Sequence, residues 1–232
     1  MSNTYISAEE AVKIVKSGDR VFIHGSAATP VHLVTALQKR HNELKDVELV
    51  SITNIGPLEF NHPDYRKSFF FNSLFVSANT RSVANSESGD YVPIFLILIP
   101  QLFRKEILPI DVALIHVSPP DKHGYCSLGT SVDIAISVVE TAKYIIAQVN
   151  PAMPRTLGDG IVHVSKIQSL VFFDTPLPEL DYSSGATPIS EQIGRNVASL
   201  IEDGATLQMG IGTIPDQVLK NLGTHKDLGI HT

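Results

Sequence analysis

Residues 21–30 read VFIHGSAATP: a short stretch of strand character, a loop of small residues, and a proline suited to the start of a helix. A capping box, Ser7 with Glu10, predicts a short helix before this stretch. Helical periodicity follows at residues 31–37, and a second strand is predicted at 47–52. The chain therefore begins with the order helix, strand, helix, strand.

The alternation of predicted strands and helices continues along the chain. Further strands are predicted at 69–76, 111–117, 143–148 and 170–173, and a helix is predicted at 133–142. Several of these strands are apolar along their whole length, which is typical of strands covered on both faces in a parallel sheet. We therefore expect an α/β protein with an open, doubly wound, mostly parallel sheet, followed by the start of a second similar α/β domain.

Composition and charge exclude several classes of protein. The net charge of the 232 residues is −6, and the 18 Lys and Arg form no basic run, which excludes a general nucleic-acid binder. Cys126 is the single cysteine and the nine histidines show no metal-ligand spacing, so we predict neither disulfides nor a metal site. The N-terminus lacks the order of a signal peptide, and the apolar run at 94–99 is too short to span a bilayer. We expect a cytoplasmic protein with no membrane partner.

The chain repeats itself at an offset of 185 residues. Gly25 aligns with Gly210 and Pro30 with Pro215, without a gap between them. The helix before this alignment recurs as one apolar stripe of Ile189, Ile193, Val197, Leu200 and Ile201. The repeat predicts a complete N-terminal domain at 1–185 and, after a polar boundary around residues 183–185, the beginning of a second copy at 186–232 that is cut after its second strand.

A glycine-containing loop, GIGTIP at residues 210–215, lies between a predicted strand and a predicted helix. Its glycines let the backbone approach a ligand, and the helix N-terminus offers unpaired N–H groups and a partial positive charge. The loop therefore suits a phosphate, a pyrophosphate or a developing oxyanion. A tight turn without a ligand is an equally open interpretation, because Pro215 replaces the third glycine of the dinucleotide fingerprint and the P-loop residues are absent.

Two further loops follow predicted strands at the edge where ligands bind in parallel sheets. Residues 118–129 are expected to line a pocket rather than to catalyse, because their reactive side chains crowd into one loop. Those side chains are Ser118, Asp121, His123 and Cys126. Residues 54–57 either line the same cleft or form a plain turn. We expect His24 and His116, on strands, to be satisfied structural histidines.

Several motifs resemble the signature of the acetyl-CoA hydrolase/transferase family. They lie at residues 111–121, 123–129, 148–150, 153–155, 210–215 and 229–232. Within the family, these motifs resemble those of the CoA-transferases of 4-hydroxybutyrate and of butyrate and acetate. The resemblance covers all 232 residues and implies a class I CoA-transferase with two similar α/β domains and the active site between them.

The resemblance also implies a reaction and the residues that take part in it. In the family a glutamate carboxylate attacks acyl-CoA, and a glutamyl-CoA thioester then delivers CoA to an acceptor carboxylate. That glutamate would follow Thr232, so the resemblance implies no catalytic residue within this chain and predicts that the chain alone is inactive. CoA binding is assigned to Gly210, Ile211, Gly212, Thr213 and Ile214.

The implied partners are acyl-CoA and a short carboxylate, with coenzyme A as a substrate rather than a permanently bound cofactor. The family further implies a homo-oligomer for the full-length protein and no nucleic-acid partner. One departure lies at residues 97–98, Ile-Leu, where relatives usually carry Ser-Glu. The alternatives are an acetyl-CoA hydrolase, a non-catalytic CoA-binding module and, by analogy of fold alone, a sugar-phosphate isomerase-like enzyme.

Overall fold

The computed structural model describes residues 4–179 and 185–231. Contacts divide the chain into two compact units, Met1–Pro178 and Glu179–Thr232, and each is treated by itself below. Of the predicted boundary at 183–185, residues 183 and 184 lie outside the described residues, as does Thr232.

A seven-stranded parallel sheet forms the centre of the first unit, which confirms the expected α/β class. Its strands are β1 (Arg20–Ile23), β2 (Val47–Ser51), β3 (Phe69–Ser73), β4 (Gly89–Tyr91), β5 (Val112–Val117), β7 (Tyr144–Val149) and β9 (Ser169–Phe172). A separate antiparallel pair consists of β6 (Tyr125–Ser127) and β8 (Ile161–His163). The order across the large sheet is β4-β3-β2-β1-β5-β7-β9, and each neighbouring pair is parallel.

The helices of the first unit are short. They are α1 (Ala8–Ala11), α2 (Val31–Gln38), α3 (Arg81–Ala84), α4 (Ile99–Arg104) and α5 (Ala135–Thr141), with 3₁₀ turns at Val12–Ile14, Pro63–Tyr65, Leu96–Leu98 and Val164–Lys166. The predicted cap is confirmed, because the Glu10 N–H donates to Ser7 Oγ at 3.1 Å. No helix among the described residues is both long and apolar enough to cross a membrane.

Two local differences from the sequence expectations have clear causes. Pro30 is the N-cap of α2 rather than its first residue, since its ψ of 71° is not helical. Strand β3 ends at Ser73, three residues before the predicted end at residue 76. There the Ser73 hydroxyl donates to the Phe75 carbonyl at 2.9 Å, a local bond that turns the chain away from the sheet.

Side chains of the sheet alternate between two apolar cores, one on each face. On one face Leu33 and Leu37 of α2 pack in a cluster with Leu114 of β5. On the other face Phe103 of α4 packs in a cluster with Ile115. All six residues of β5 are buried, so the continuous apolar run of this strand reflects helices on both sides of the sheet.

The sheet changes direction next to β1. The chain runs outward through β2, β3 and β4 on one side of β1, and β5, β7 and β9 fill the other side. The loops that follow β1 and β5 therefore diverge, and they leave a crevice at the carboxyl ends of these strands. Ligands of open α/β sheets bind at such a switch point.

The second unit has the same order of elements as the start of the first. It contains α6 (Pro188–Ala198), β10 (Thr206–Leu207), α7 (Thr213–Lys220) and β11 (Gly229–Ile230), and β10 pairs with β11 in parallel as β1 does with β2. One backbone hydrogen bond recurs as well: the Gly18 N–H donates to the Lys45 carbonyl in the first copy, and the Gly204 N–H donates to the Lys226 carbonyl in the second. These matched features support the internal repeat.

The same turn precedes the second strand of each copy. Asp46 and Asp227 both have a left-handed backbone, with φ of 54° and 55°, in the residue after the lysine that accepts the glycine bond. Aspartate tolerates this conformation better than most residues, since its short polar side chain hydrogen-bonds locally. Two independent aspartates in one rare conformation again support a duplicated unit.

The packed face of α6 is not its apolar stripe. Ser190, Gly194 and Ala198 are the buried residues of this helix, whereas Ile189 is 74% exposed. A Cβ atom at Gly194 would lie 2.6 Å from the Gln217 carbonyl oxygen, so a small residue is required for α7 to approach. Of the stripe, Ile189 and Leu200 are exposed, whereas Ile201 packs partly buried against the small core of this unit.

We expect Leu114→Ala to destabilise the first unit by about 2–5 kcal/mol, because it leaves a cavity in a fully buried strand. Urea unfolding followed by far-UV circular dichroism measures the shift in the unfolding midpoint. Leu96→Ala is the matched control, since Leu96 is 58% exposed and its truncation should cost no more than about 0.5 kcal/mol. Equal shifts for the two variants would contradict the assignment of the core.

Candidate functional site

A cavity of about 250 Å³ opens at the carboxyl edge of the first unit's sheet, at the switch point beside β1. Its walls come from the loops after β1 and β2, from the ends of β5 and β7, and from the segment after β9. The lining residues are Thr29, Val31, Gly56, Pro57, His116, Gln148, Phe173, Thr175, Pro176 and Pro178. No charged side chain is among these described residues.

Hydrogen bonds through Thr29 hold the first two loops together. The Thr29 hydroxyl donates to the Ser26 carbonyl at 2.7 Å and accepts the Ile55 N–H at 3.2 Å. Ser26 has a left-handed φ of 53°, and its hydroxyl lies 2.8 Å from that of Thr53. These bonds fix the two loops against each other and so shape one wall of the cavity. Of the two interpretations left open for residues 54–57, the structure favours a lining role, because Gly56 and Pro57 line this cavity, although residues 118–129 do not share it.

The segment after β9 is fixed by two other contacts. Buried Asn150 donates from Nδ2 to the Thr175 carbonyl at 2.8 Å and accepts the Thr175 N–H on Oδ1 at 3.3 Å. The Phe173 ring stacks on His32 with centroids 4.0 Å apart and an interplanar angle of 3°. This second wall of the cavity is therefore held by a side-chain clamp and a ring stack.

His116 and Gln148 form the polar part of the cavity. They are register partners in the neighbouring parallel strands β5 and β7, so their side chains project from the same face of the sheet. Both residues are at most 2% exposed, and His116 Nε2 lies 3.4 Å from Gln148 Nε2. His116 Nδ1 and Gln148 Oε1 have no hydrogen-bond partner in the part of the chain that the structure describes. Unpaired buried polar atoms are costly, and they call for an explanation.

The His116 ring is neutral at physiological pH. Burial lowers its pKa to about 4, and the neighbouring His24 adds to this shift. The backbone of Thr29 and Ala28 acts in the opposite direction but does not outweigh the burial. The cavity therefore carries a neutral polar pair rather than a cation.

His24 differs from His116 in being fully satisfied. Its Nε2 lies 2.6 Å from the Ser131 carbonyl and donates to it, and its Nδ1 accepts the His116 backbone N–H at 3.2 Å. Burial lowers the pKa of His24 as well. The prediction of a satisfied structural histidine is thus confirmed for His24 and wrong for His116. Gln148 was not predicted as a site residue from the sequence. The available signal was a polar residue next to the last residue of both β5 and β7, namely His116 and Gln148.

The side chains of residues 118–129 make hydrogen bonds and an ion pair with neighbouring residues, and none of them lines this cavity. Asp121 accepts the backbone N–H groups of His123 and Tyr125 and pairs with Arg155 at 2.9 Å, and these contacts lower the pKa of its carboxyl. Cys126 is fully buried, and burial raises the pKa of its thiol to about 11. A thiol in this environment is a packing group, not a nucleophile.

The glycine loop of the second unit lies between β10 and α7. Gly212 is the N-cap of α7, with φ 120° and ψ 177°, a backbone conformation that only glycine adopts readily. As glycine it gives no side-chain cap, and no atom lies within 4 Å of where its Cβ would be. Ile211 is 82% exposed, and Thr213 begins the helix. The loop thus presents an open helix N-terminus in its own unit.

Comparison with known proteins identifies the family. The model of the acetyl-CoA hydrolase/transferase N-terminal domain matches residues 2–181. The chain belongs to this family. It is 45% identical over 227 residues to the 4-hydroxybutyrate coenzyme A transferase of Clostridium kluyveri, covering 98% of the chain and 53% of that protein. It is 44% identical to a succinyl-CoA:acetate/propanoyl-CoA:succinate CoA transferase of Fasciola hepatica, over 97% of the chain and 47% of that protein.

A solved structure agrees in fold with this family member. The 4-hydroxybutyrate CoA-transferase of Porphyromonas gingivalis superposes with a TM-score of 0.78 at 34% identity, over 98% of the chain and 53% of that structure. The doubly wound α/β architecture is therefore the one found in the family. The chain spans about half the length of the curated relatives it matches.

We expect the ring of His116 to stay neutral from pH 7.5 down to about 5. Its folded pKa of about 4 lies below the value of about 6.5 for an unfolded histidine, so this group costs the folded state stability as the pH falls through that interval. NMR titration of the ring signals, assigned by comparison with His116→Gln, measures the pKa. The same ring in the urea-unfolded chain is the control and should titrate near 6.5. A His116 midpoint above about 5.5 would contradict this assignment.

Proposed function

We propose that the full-length protein is a CoA-transferase that moves CoA between an acyl-CoA and a short carboxylate such as 4-hydroxybutyrate, butyrate or acetate. The observation that carries the proposal is the 45% identity across 98% of the chain to a transferase named for 4-hydroxybutyrate. Membership of the acetyl-CoA hydrolase/transferase family supports an enzyme that acts on CoA thioesters.

The reaction proceeds in two half-reactions through a covalent intermediate. A glutamate carboxylate attacks the acyl-CoA carbonyl, which gives an acyl-glutamyl anhydride and the CoA thiolate. The thiolate then attacks the glutamyl carbonyl, releases the acyl carboxylate and leaves a glutamyl-CoA thioester. An acceptor carboxylate reverses both steps. We place this glutamate directly after Thr232, on the motif that the chain shares with the family.

The glycine loop is proposed to bind CoA through Gly210, Ile211, Gly212, Thr213 and Ile214. Support comes from its open helix N-terminus, which favours an anionic or polarised oxygen. Gly212, with a φ of 120° that only glycine adopts readily, shapes this loop at the start of the helix. The backbone N–H groups of this loop are suited to hold the thioester oxygen or a phosphate. Acyl-CoA and a short carboxylate are then the small-molecule partners, and a homo-oligomer is proposed for the full-length protein.

We expect the full-length protein to transfer CoA and the 232-residue chain to be inactive, because the proposed nucleophile is absent from this chain. Exchange of CoA between butyryl-CoA and acetate, followed by chromatography of the acyl-CoAs, measures the activity. Borohydride or hydroxylamine should trap a thioester on the full-length protein alone, at a glutamate that mass spectrometry locates. A trapped thioester on the 232-residue chain would place the nucleophile elsewhere.

The same assay separates the transferase from its alternatives. A hydrolase releases free CoA without an acceptor carboxylate, whereas a transferase releases it at a far lower rate than it exchanges CoA. A binding module does neither, although it retains CoA in a binding experiment. The transferase proposal fails if the full-length protein shows hydrolysis at the same rate with and without acetate.

We expect Gly212→Ala in the full-length protein to raise KM for acyl-CoA by about tenfold or more. Holding alanine in this backbone conformation costs about 1–3 kcal/mol, and 1.4 kcal/mol corresponds to a factor of ten. Steady-state kinetics with acyl-CoA varied measures KM and kcat separately. Gly223→Ala is the control, because that glycine also has open space around its Cβ position but lies after α7. Equal effects in both variants would refute a role for the loop.

A further inference from the structure

The pairing of His116 with Gln148 leaves a defined set of hydrogen-bonding groups unused. If the Gln148 amide nitrogen donates to His116 Nε2, the neutral ring carries its proton on Nδ1, and the unused groups are this N–H donor and the Oε1 acceptor. Exchanging the amide oxygen and nitrogen reverses the roles, so that Nδ1 accepts and the amide N–H donates. In both arrangements at least one donor and one acceptor are left unpaired.

A hydroxyl group matches this combination. It donates one hydrogen bond and accepts others, whereas a carboxylate only accepts, an ammonium group only donates, and a methyl group does neither. The described lining residues also offer no lysine or arginine to a carboxylate. The acidic end of a ligand is therefore excluded from the polar end of this cavity, and an uncharged hydroxyl end is accepted there.

The size and lining of the cavity restrict the rest of the ligand. A volume of about 250 Å³ corresponds to roughly eight water molecules at ~30 Å³ each, which suits a short aliphatic chain. Val31, Phe173 and the prolines form apolar walls along it. These walls are fixed by the Asn150 clamp and the ring stack on Phe173, so the cavity is largely formed before a ligand enters.

We propose that His116 and Gln148 recognise the terminal hydroxyl of a short hydroxyalkanoate and so determine the specificity of this cavity for hydroxy acids over alkanoic acids. The proposal rests on the proposed function only in taking a short carboxylate as the substrate. It assigns neither residue to the chemical step. A ligand without a hydroxyl leaves the donor and the acceptor unpaired and out of reach of bulk water. Their desolvation is then not offset by hydrogen bonds, so such a ligand binds more weakly than a hydroxy acid.

The first experiment needs no variant. The 232-residue chain is titrated with 4-hydroxybutanoate, with pentanoate, in which a methyl group replaces the hydroxyl, and with 4-methoxybutanoate, whose oxygen accepts but cannot donate. Kd is measured from NMR shifts of the His116 ring and the Gln148 side-chain amide. We expect 4-hydroxybutanoate to bind at least about tenfold more tightly than either analogue, since an unpaired buried polar group costs about 1–3 kcal/mol.

Three outcomes of this titration would overturn the proposal. They are Kd values that agree within about twofold for all three acids, shifts confined to residues away from the cavity, and no saturation by 4-hydroxybutanoate at ~50 mM. Equal Kd values would mean that an ordered water satisfies the pair and stays in place when any acid binds.

Substitution then tests the residues themselves. Gln148→Leu should reduce the preference for 4-hydroxybutanoate over pentanoate from at least about tenfold to less than about threefold. The reduction should come chiefly from weaker binding of 4-hydroxybutanoate. Gln101→Leu removes the same amide from an exposed position on α4 and should leave the preference unchanged. A preference that persists in Gln148→Leu would overturn the assignment. If that variant does not fold, the ligand series on the unaltered chain decides.

Failure of this inference is distinguishable from failure of the proposed function. CoA transfer by the full-length protein is compared with 4-hydroxybutanoate and with pentanoate as acceptors. Transfer at equal kcat/KM to both refutes hydroxyl recognition and leaves the transferase intact. Selective binding of the hydroxy acid without CoA transfer supports the inference and refutes the proposed function.

Discussion

The parallel pairing of β1 with β2 on one side and with β5 on the other is the constraint on which the first unit depends. Each strand in this group contributes side chains to both cores, so the register that buries Val21 and Ile23 on one face also buries Phe22 on the other. A slip by one residue would exchange the two faces. The same pairing places the loop after β1 beside the carboxyl ends of β5 and β7, and the cavity lies there. The stability of the first unit and the position of the cavity therefore both depend on the pairing of β1 with β2 and β5.

The chemistry of the cavity follows from where the apolar pattern of two strands stops. Leu114 and Ile146 lie in the core that α2 covers, and two positions further along the same face come His116 and Gln148. Beyond these two residues the packed core ends, and the next side chains on this face are polar although they are still buried. Burial keeps the imidazole uncharged. The site consequently discriminates through the match of donors and acceptors and not through charge.

Much of the fold could be predicted because its signals are local. Apolar runs predicted six of the seven strands of the central sheet within a few residues, and Ser7 with Glu10 located the first helix cap. The short edge strand β4 has no such run and was not predicted. The failures depend on contacts between residues far apart in the chain. The unpaired atoms of His116 and Gln148 follow from register across 32 residues, and the clamp of Asn150 on Thr175 spans 25. Likewise, the sequence shows an apolar stripe on α6, but the close approach of Gln217 decides that Gly194 and its neighbours form the packed face.

The equivalent turns before β2 and β11 can be compared with each other within one chain. Asp46 and Asp227 adopt nearly the same left-handed backbone, each after a lysine whose carbonyl accepts a bond from a left-handed glycine. The two turns share a backbone but differ in the amount of core behind them. An exchange of one turn for the other would keep the local geometry and change only its surroundings. This single polypeptide can thus report how far the energetics of a turn belong to the turn itself and how far to the domain that contains it.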